Sequence, residues 1–69
     1  MPYRDIGDLP DSVRLHLPLH AQEIFLAAFN RAWADHAGEA RQEEAAFRIA
    51  WGAVKRRYVK LGEEWVERG

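Results

Sequence analysis

The sequence has no cysteine, so a disulfide scaffold and a thiolate metal site are both excluded. It has only three prolines and five glycines, too few for a Pro- or Gly-rich linker. No apolar run approaches the ~20 residues that cross a bilayer, so membrane insertion is not expected. The opening residues carry no charged-then-apolar signal, which makes the cytoplasm the expected location. Neither charge dominates: ten Lys+Arg stand against eleven Asp+Glu, for a net charge of −1. That balance excludes a chain that coats nucleic acid or works as an acidic tail. Repeats and low-complexity tracts are also missing. A length of 69 residues leaves room for one small domain, expected to span 1–69.

What the chain does have is apolar surface. Hydrophobic residues make up 48% and aromatics 12%, including three tryptophans. Burying aromatics at about 150–250 Å² each builds a core without a metal or disulfide staple.

Proline and glycine divide the chain. Residues 1–7 show no helical period and read as an extended segment anchored by Tyr3 and Ile6. The run Asp8-Leu9-Pro10-Asp11 reads as a helix start, with Asp8 as cap and Pro10 in the first turn. Pro18 disfavours helical geometry at Leu17, so this helix is placed at about 9–16. A second helix is expected from Pro18 to about Ala37, ended by Gly38. Its apolar residues Ala21, Ile24, Phe25, Ala28, Phe29, Ala32 and Trp33 recur at helical period. Asn30 interrupts that stripe and is expected to make a structural hydrogen bond to a neighbouring helix end.

A third helix is expected from about Ala40 to Leu61, ended by Gly62. It carries two stripes: Ala46, Ile49, Ala50 and Ala53, then Phe47, Trp51, Val54 and Tyr58. Together they exceed a ~100° apolar face, which predicts a central helix covered on more than one side. Trp51 is then expected among the most buried residues, with Gly52 marking a close approach. Trp65-Val66 has strand chemistry and is expected to pair with the extended Pro2-Tyr3-Arg4 segment. The fold class is mainly α: three helices in a compact domain, with a minimal two-strand sheet from the N- and C-terminal segments.

Candidate chemistry is sparse. Asp35, His36, Glu39, Glu43 and Glu44 surround Gly38, but Arg41 and Arg48 sit among them and no calcium-loop pattern is present. They read as a solvated helix start, and no metal site or other cofactor is expected. His16 and His20 straddle Pro18, and His20 reads as a cap or packing residue at the second helix. Ser12 is the only serine and lies in a helix opening, so no catalytic residue is assigned. The basic run Lys55-Arg56-Arg57-Tyr58-Val59-Lys60 is the one concentrated charge. Lys55, Arg56 and Lys60 are the candidate interaction residues, while Arg57 falls near the apolar stripe and is expected to pair with an acid or stack on a tryptophan. Two partners fit a basic helix end: a protein surface, or nucleic-acid phosphates.

A series of blocks occurs in order: Met1-Pro2-Tyr3, Asp8-Leu9-Pro10-Asp11-Ser12-Val13, Leu17-Pro18, His20-Ala21-Gln22 with Ile24, and Ala28-Phe29-Asn30 with Ala32-Trp33. Ala50-Trp51, Ala53-Val54-Lys55, Tyr58, Lys60 and Trp65 complete it. This pattern resembles the ChaB family, whose name is tied to the regulation of cation transport. The resemblance implies three helices with a small sheet and no catalytic residues. It also implies a regulatory module whose partner is a membrane cation/proton antiporter. Related domains in larger proteins point instead to a DNA-linked role. Relatives carry a longer, acid-rich loop between the halves. Here that connection holds only Asp35, Glu39, Glu43 and Glu44 as acids, so ion sensing by that loop is not carried over.

Overall fold

A computed structural model describes residues 2–68. Met1 and Gly69, the outer limits of the expected domain, lie outside the described residues. A 3-10 turn at Ile6–Asp8 leads into a single-turn helix, α1 (Asp11–Arg14). Two long helices follow, α2 (Leu19–Asp35) and α3 (Gln42–Arg57), and the chain closes on a hairpin of β1 (Tyr58–Leu61) and β2 (Glu64–Glu67). The mainly α class with three helices and two strands is the one expected; several details differ.

The first helix is shorter than 9–16 and is capped differently. Asp8 caps nothing and instead closes the preceding 3-10 turn, which Asp5 starts: the Asp5 Oδ1 accepts from the Gly7 N–H at 2.8 Å. Pro10 precedes α1 as its N-cap and provides no side-chain cap. The turn after α1 is held by Gln22, whose side-chain amide donates to the carbonyls of Arg14 and Leu17 at 3.1 and 2.8 Å. Pro18 then stands as the N-cap of α2.

The sheet is the main correction. It is not made from the two termini: β1 pairs antiparallel with β2, in the register Tyr58↔Glu67, Val59↔Val66, Lys60↔Trp65 and Leu61↔Glu64. The third helix therefore stops at Arg57 rather than Leu61. Tyr58, Val59, Trp65 and Val66 all favour strand, and pairing them satisfies more backbone than one further helical turn ending in solvent. Gly62 has φ 63°, and no non-glycine residue among those described has positive φ. Glycine at the first of two loop positions, with only that residue at positive φ, matches the hairpin turn that continues strand twist. The freed carbonyls at the end of α3 are taken by Arg68. Its N–H donates to the Arg57 carbonyl at 2.8 Å and its guanidinium to the Lys55 carbonyl at 3.0 Å.

The N-terminal segment is extended as expected but lies on α2 instead of joining a strand. Asn30 holds it: Oδ1 accepts from the Tyr3 N–H at 2.9 Å, and Nδ2 donates to the Tyr3 carbonyl at 2.8 Å. The partner of Asn30 is thus an extended chain, not a helix end. The Tyr3 ring packs on Phe29 with centroids 4.8 Å apart.

The core sits between α2 and α3. Phe25 and Phe29 are fully buried, with Val13, Leu9 and Leu17 on one side and Ala46, Ala50 and Val54 on the other. Alanines at the crossing let the backbones approach closely around the two phenyl rings. Trp51 is only half-buried, packing edge-on to Phe25 at 5.3 Å and against Trp65 at 5.8 Å. The expectation that it is among the most buried residues is not met. α3 is also not covered on both sides: Ile49 is 40% exposed, and a Cβ added at Gly52 would meet nothing within 4 Å. Gly52 marks no close approach. One long helix, a hairpin and a strap supply too little surface to cover two stripes.

Candidate functional site

The basic run belongs to two elements. Lys55, Arg56 and Arg57 form the last turn of α3, and Lys60 lies on β1. Breaking the helix at Tyr58 separates the three candidates. Lys55 and Lys60 line one open groove of about 300 Å³, together with Tyr58, Val59, Trp65 and Arg68. Arg56 faces a different hollow, beside Ile49, Gly52 and Ala53 on the uncovered side of α3. Trp65, expected only as a strand residue, and Arg68 join the site unforeseen; the signal for both was the strand chemistry of residues 58–66, which folds the C-terminal residues back along α3. Arg57 pairs with Glu67 at 3.6 Å, the first of the two arrangements expected for it.

Charge is unevenly satisfied. Among the described residues, Arg14, Arg31, Arg41 and Arg57 have a carboxylate within 4.0 Å. Arg4, Arg48, Lys55, Arg56, Lys60 and Arg68 do not, and the last four of these gather at the α3–hairpin end. The outer face of the hairpin carries three exposed apolar side chains and one acid: Val59 and Val66 oppose each other at 39% and 36% exposure, and Leu61, at 61%, opposes Glu64. The inner face carries Tyr58, which is buried, and its hydroxyl meets His20 Nδ1 at 2.9 Å. His20 thus ties the first turn of α2 to β1, a packing role of the kind expected.

The remaining candidates stay apart. Glu43 and Glu44 lie in the first turn of α3, where the helix dipole favours acids. Glu39 Oε2 bonds His36 Nδ1 at 2.8 Å, and Asp35 is 4.0 Å from Arg31. Among the described residues, no three His, Asp or Glu side chains converge on one point. His16 Nδ1 lies 3.0 Å from the Ser12 carbonyl oxygen, so that ring is turned to backbone. Among the described residues, no helix is long and apolar enough to cross a membrane. Burial lifts the Tyr3 phenol above its ordinary value, and the negative charge of Glu43 raises it further.

Comparison with known proteins agrees with this architecture. The ChaB family model matches residues 9–68. A protein of Escherichia coli strain K12 named "putative cation transport regulator ChaB" is 47% identical over 66 residues, covering 87% of each chain. The protein of the same name from Shigella flexneri matches to the same extent. A solution NMR structure under that name superposes with a TM-score of 0.85 at 41% identity, covering 99% of this chain and 100% of that one. The chain belongs to the ChaB family.

Proposed function

We propose that this chain is a non-enzymatic regulatory module that works in the cytoplasm by docking on a protein partner, and that the partner is a membrane cation/proton antiporter. The cation-transport half of this reading comes from the name its relatives carry and from the family resemblance. The docking half rests on one observation: Lys55, Arg56, Lys60 and Arg68 lack carboxylate partners among the described residues and flank the exposed apolar side chains of the hairpin. Exposed cations beside unpartnered apolar side chains are the composition of a recognition surface, not of a solvated helix end. Support for the non-enzymatic half comes from the histidines. None of the three lies within hydrogen-bond reach of the chain's single serine hydroxyl, and the chain has no cysteine to serve as a thiol nucleophile.

The test uses inverted membrane vesicles that contain a cation/proton antiporter. Adding the purified chain should change the cation concentration that gives half-maximal proton flux. Unchanged flux at saturating protein would overturn the reading.

A further inference from the structure

We propose that the groove between the last turn of α3 and the free edge of β1 takes an extended acidic segment of a partner protein, which adds to β1 as a third strand. This rests on the docking reading above and names the chemistry of what docks. Three observations converge on it.

The first is backbone parity. Arg68 donates to the carbonyl of Arg57, which extends the hairpin register by one hydrogen-bonded pair. Pairs alternate along an antiparallel ladder, so Val59↔Val66 is hydrogen-bonded and Lys60↔Trp65 is not. The N–H and carbonyl of Lys60 therefore point away from β2, toward the open edge. The Tyr58 N–H is used by the Val54 carbonyl at the helix end, but its carbonyl shares the outward direction. The edge offers one donor and two acceptors in strand spacing, an incomplete ladder of the kind that peptides complete.

The second is the lining. Three consecutive β1 residues, Tyr58, Val59 and Lys60, border the groove together with Lys55 of α3, so β1 forms one wall of it. Its floor includes Trp65, half-buried against Trp51 and still presenting ring surface.

The third is charge. Lys55, Lys60 and Arg68 stand around that floor with no carboxylate within 4.0 Å among the described residues. An incoming strand that alternates acidic and apolar side chains puts its carboxylates on the face of Lys60 and Trp65, where these cations stand, and its apolar groups on the opposite face beside Val59. Duplex DNA fits less well. Phosphate binding needs many distributed cations and gains nothing from an aromatic floor or a free strand edge.

The experiment titrates the full chain with a fluorescent peptide of about eight residues that alternates Glu and Val. Controls are the same peptide with Lys in place of Glu, an N-methylated version blocked on its pairing edge, and a short duplex DNA. The expected result is salt-sensitive binding of the Glu peptide alone, with amide shifts confined to residues 55–60, Trp65 and Arg68. Lys60→Glu should weaken it at least about tenfold, whereas Arg4→Glu, at an unpaired cation distant in sequence, should leave it unchanged. Equal binding of the N-methylated peptide would overturn strand addition. Binding of duplex DNA without the peptide would make this a phosphate surface, and concentration-dependent self-association through the same amides would make it a site for a second copy; either overturns the proposal. In the vesicle assay, a Lys60→Glu chain that still alters flux would sink this inference while the regulatory reading stood. A wild-type chain without effect would remove the reading itself.

Discussion

α2 and α3 differ by one residue in length, and each carries a wide apolar face, yet they end in different environments. α2 buries Phe25 and Phe29 completely. α3 buries only its small residues, Ala45, Ala46, Ala50 and Val54, and leaves Trp51 and Phe47 half-covered and Ile49 exposed. Their sequences do not explain this, since α3 has the broader stripe. The cover does. The extended segment, the 3-10 turn, α1 and the turn after it add Tyr3, Ile6, Leu9, Val13 and Leu17 to the core around Phe25 and Phe29. The far flank of α3 receives only Trp65 from the hairpin. A helix's burial is therefore set by what the rest of the chain can place beside it, and a periodicity count measures demand for cover without measuring supply.

The sharpest way to break this comparison is to truncate one side chain on each helix. Phe25→Ala should cost about 3–5 kcal/mol and abolish the cooperative melt, because it empties a fully enclosed site. Ile49→Ala should cost well under half as much in urea denaturation. Equal losses would mean that the two helices are equally buried in solution.

Removing the cover comes next. Asn30→Ala strips two hydrogen bonds from the main chain of Tyr3 and should lower stability by about 1–3 kcal/mol. Hydrogen exchange at the Tyr3 amide should accelerate, and protection in α2 should fall more than in α3. Smaller and of opposite sign is Gly52→Ala. Nothing lies within 4 Å of the added methyl, and alanine's propensity advantage should raise stability by up to about 1 kcal/mol, read as a higher urea midpoint. A loss there would indicate a contact on the flank of α3 that is otherwise open.

The smallest effect is electrostatic. The phenol of Tyr3 titrates above its ordinary value, first from burial and then from Glu43. Its neutral form is favoured in the folded state, so the associated stability is intact below the unfolded value near 10 and is lost as pH rises through the higher folded value. Glu43→Gln should move the Tyr3 transition, followed by ultraviolet absorbance, part of the way back down. An upward movement would contradict the assigned cause.

Much of this architecture was legible in the residues. Apolar period and Gly38 located α2 to within two residues of its end, and the short first helix followed from Pro10 and Pro18. The hairpin was not recognised, for an identifiable reason. Tyr58 follows Val54 by one helical step, so the stripe continues without a break into residues that are in fact strand. The decisive signal was present: Tyr-Val-Lys-Leu, then Gly-Glu, then Glu-Trp-Val, two strand-forming runs around a two-residue loop that opens with glycine. Missing it also distorted the site. Lys55, Arg56 and Lys60 look like one basic turn only if the helix continues; with a strand at Tyr58, Lys55 and Lys60 share a groove, Arg56 leaves it, and Trp65 and Arg68 join. Asn30 was correctly marked as needing a partner, but its partner lies 27 residues away in sequence, a distance that local pattern does not reach.

That amide also sets a rule of chain length. Asn30 grips the N–H and carbonyl of residue 3, groups every residue but proline possesses, so the contact is indifferent to which side chain stands there. What it fixes is counting. Leu9 is buried in the core and Tyr3 is latched on α2, with the 3-10 turn between them. Replacing Tyr3 forfeits its ring contact with Phe29 and leaves the latch closed. Inserting or deleting one residue between positions 3 and 9 moves a different peptide unit under Asn30 and throws the strap out of step. Spacing, more than identity, is what this end of the molecule must inherit.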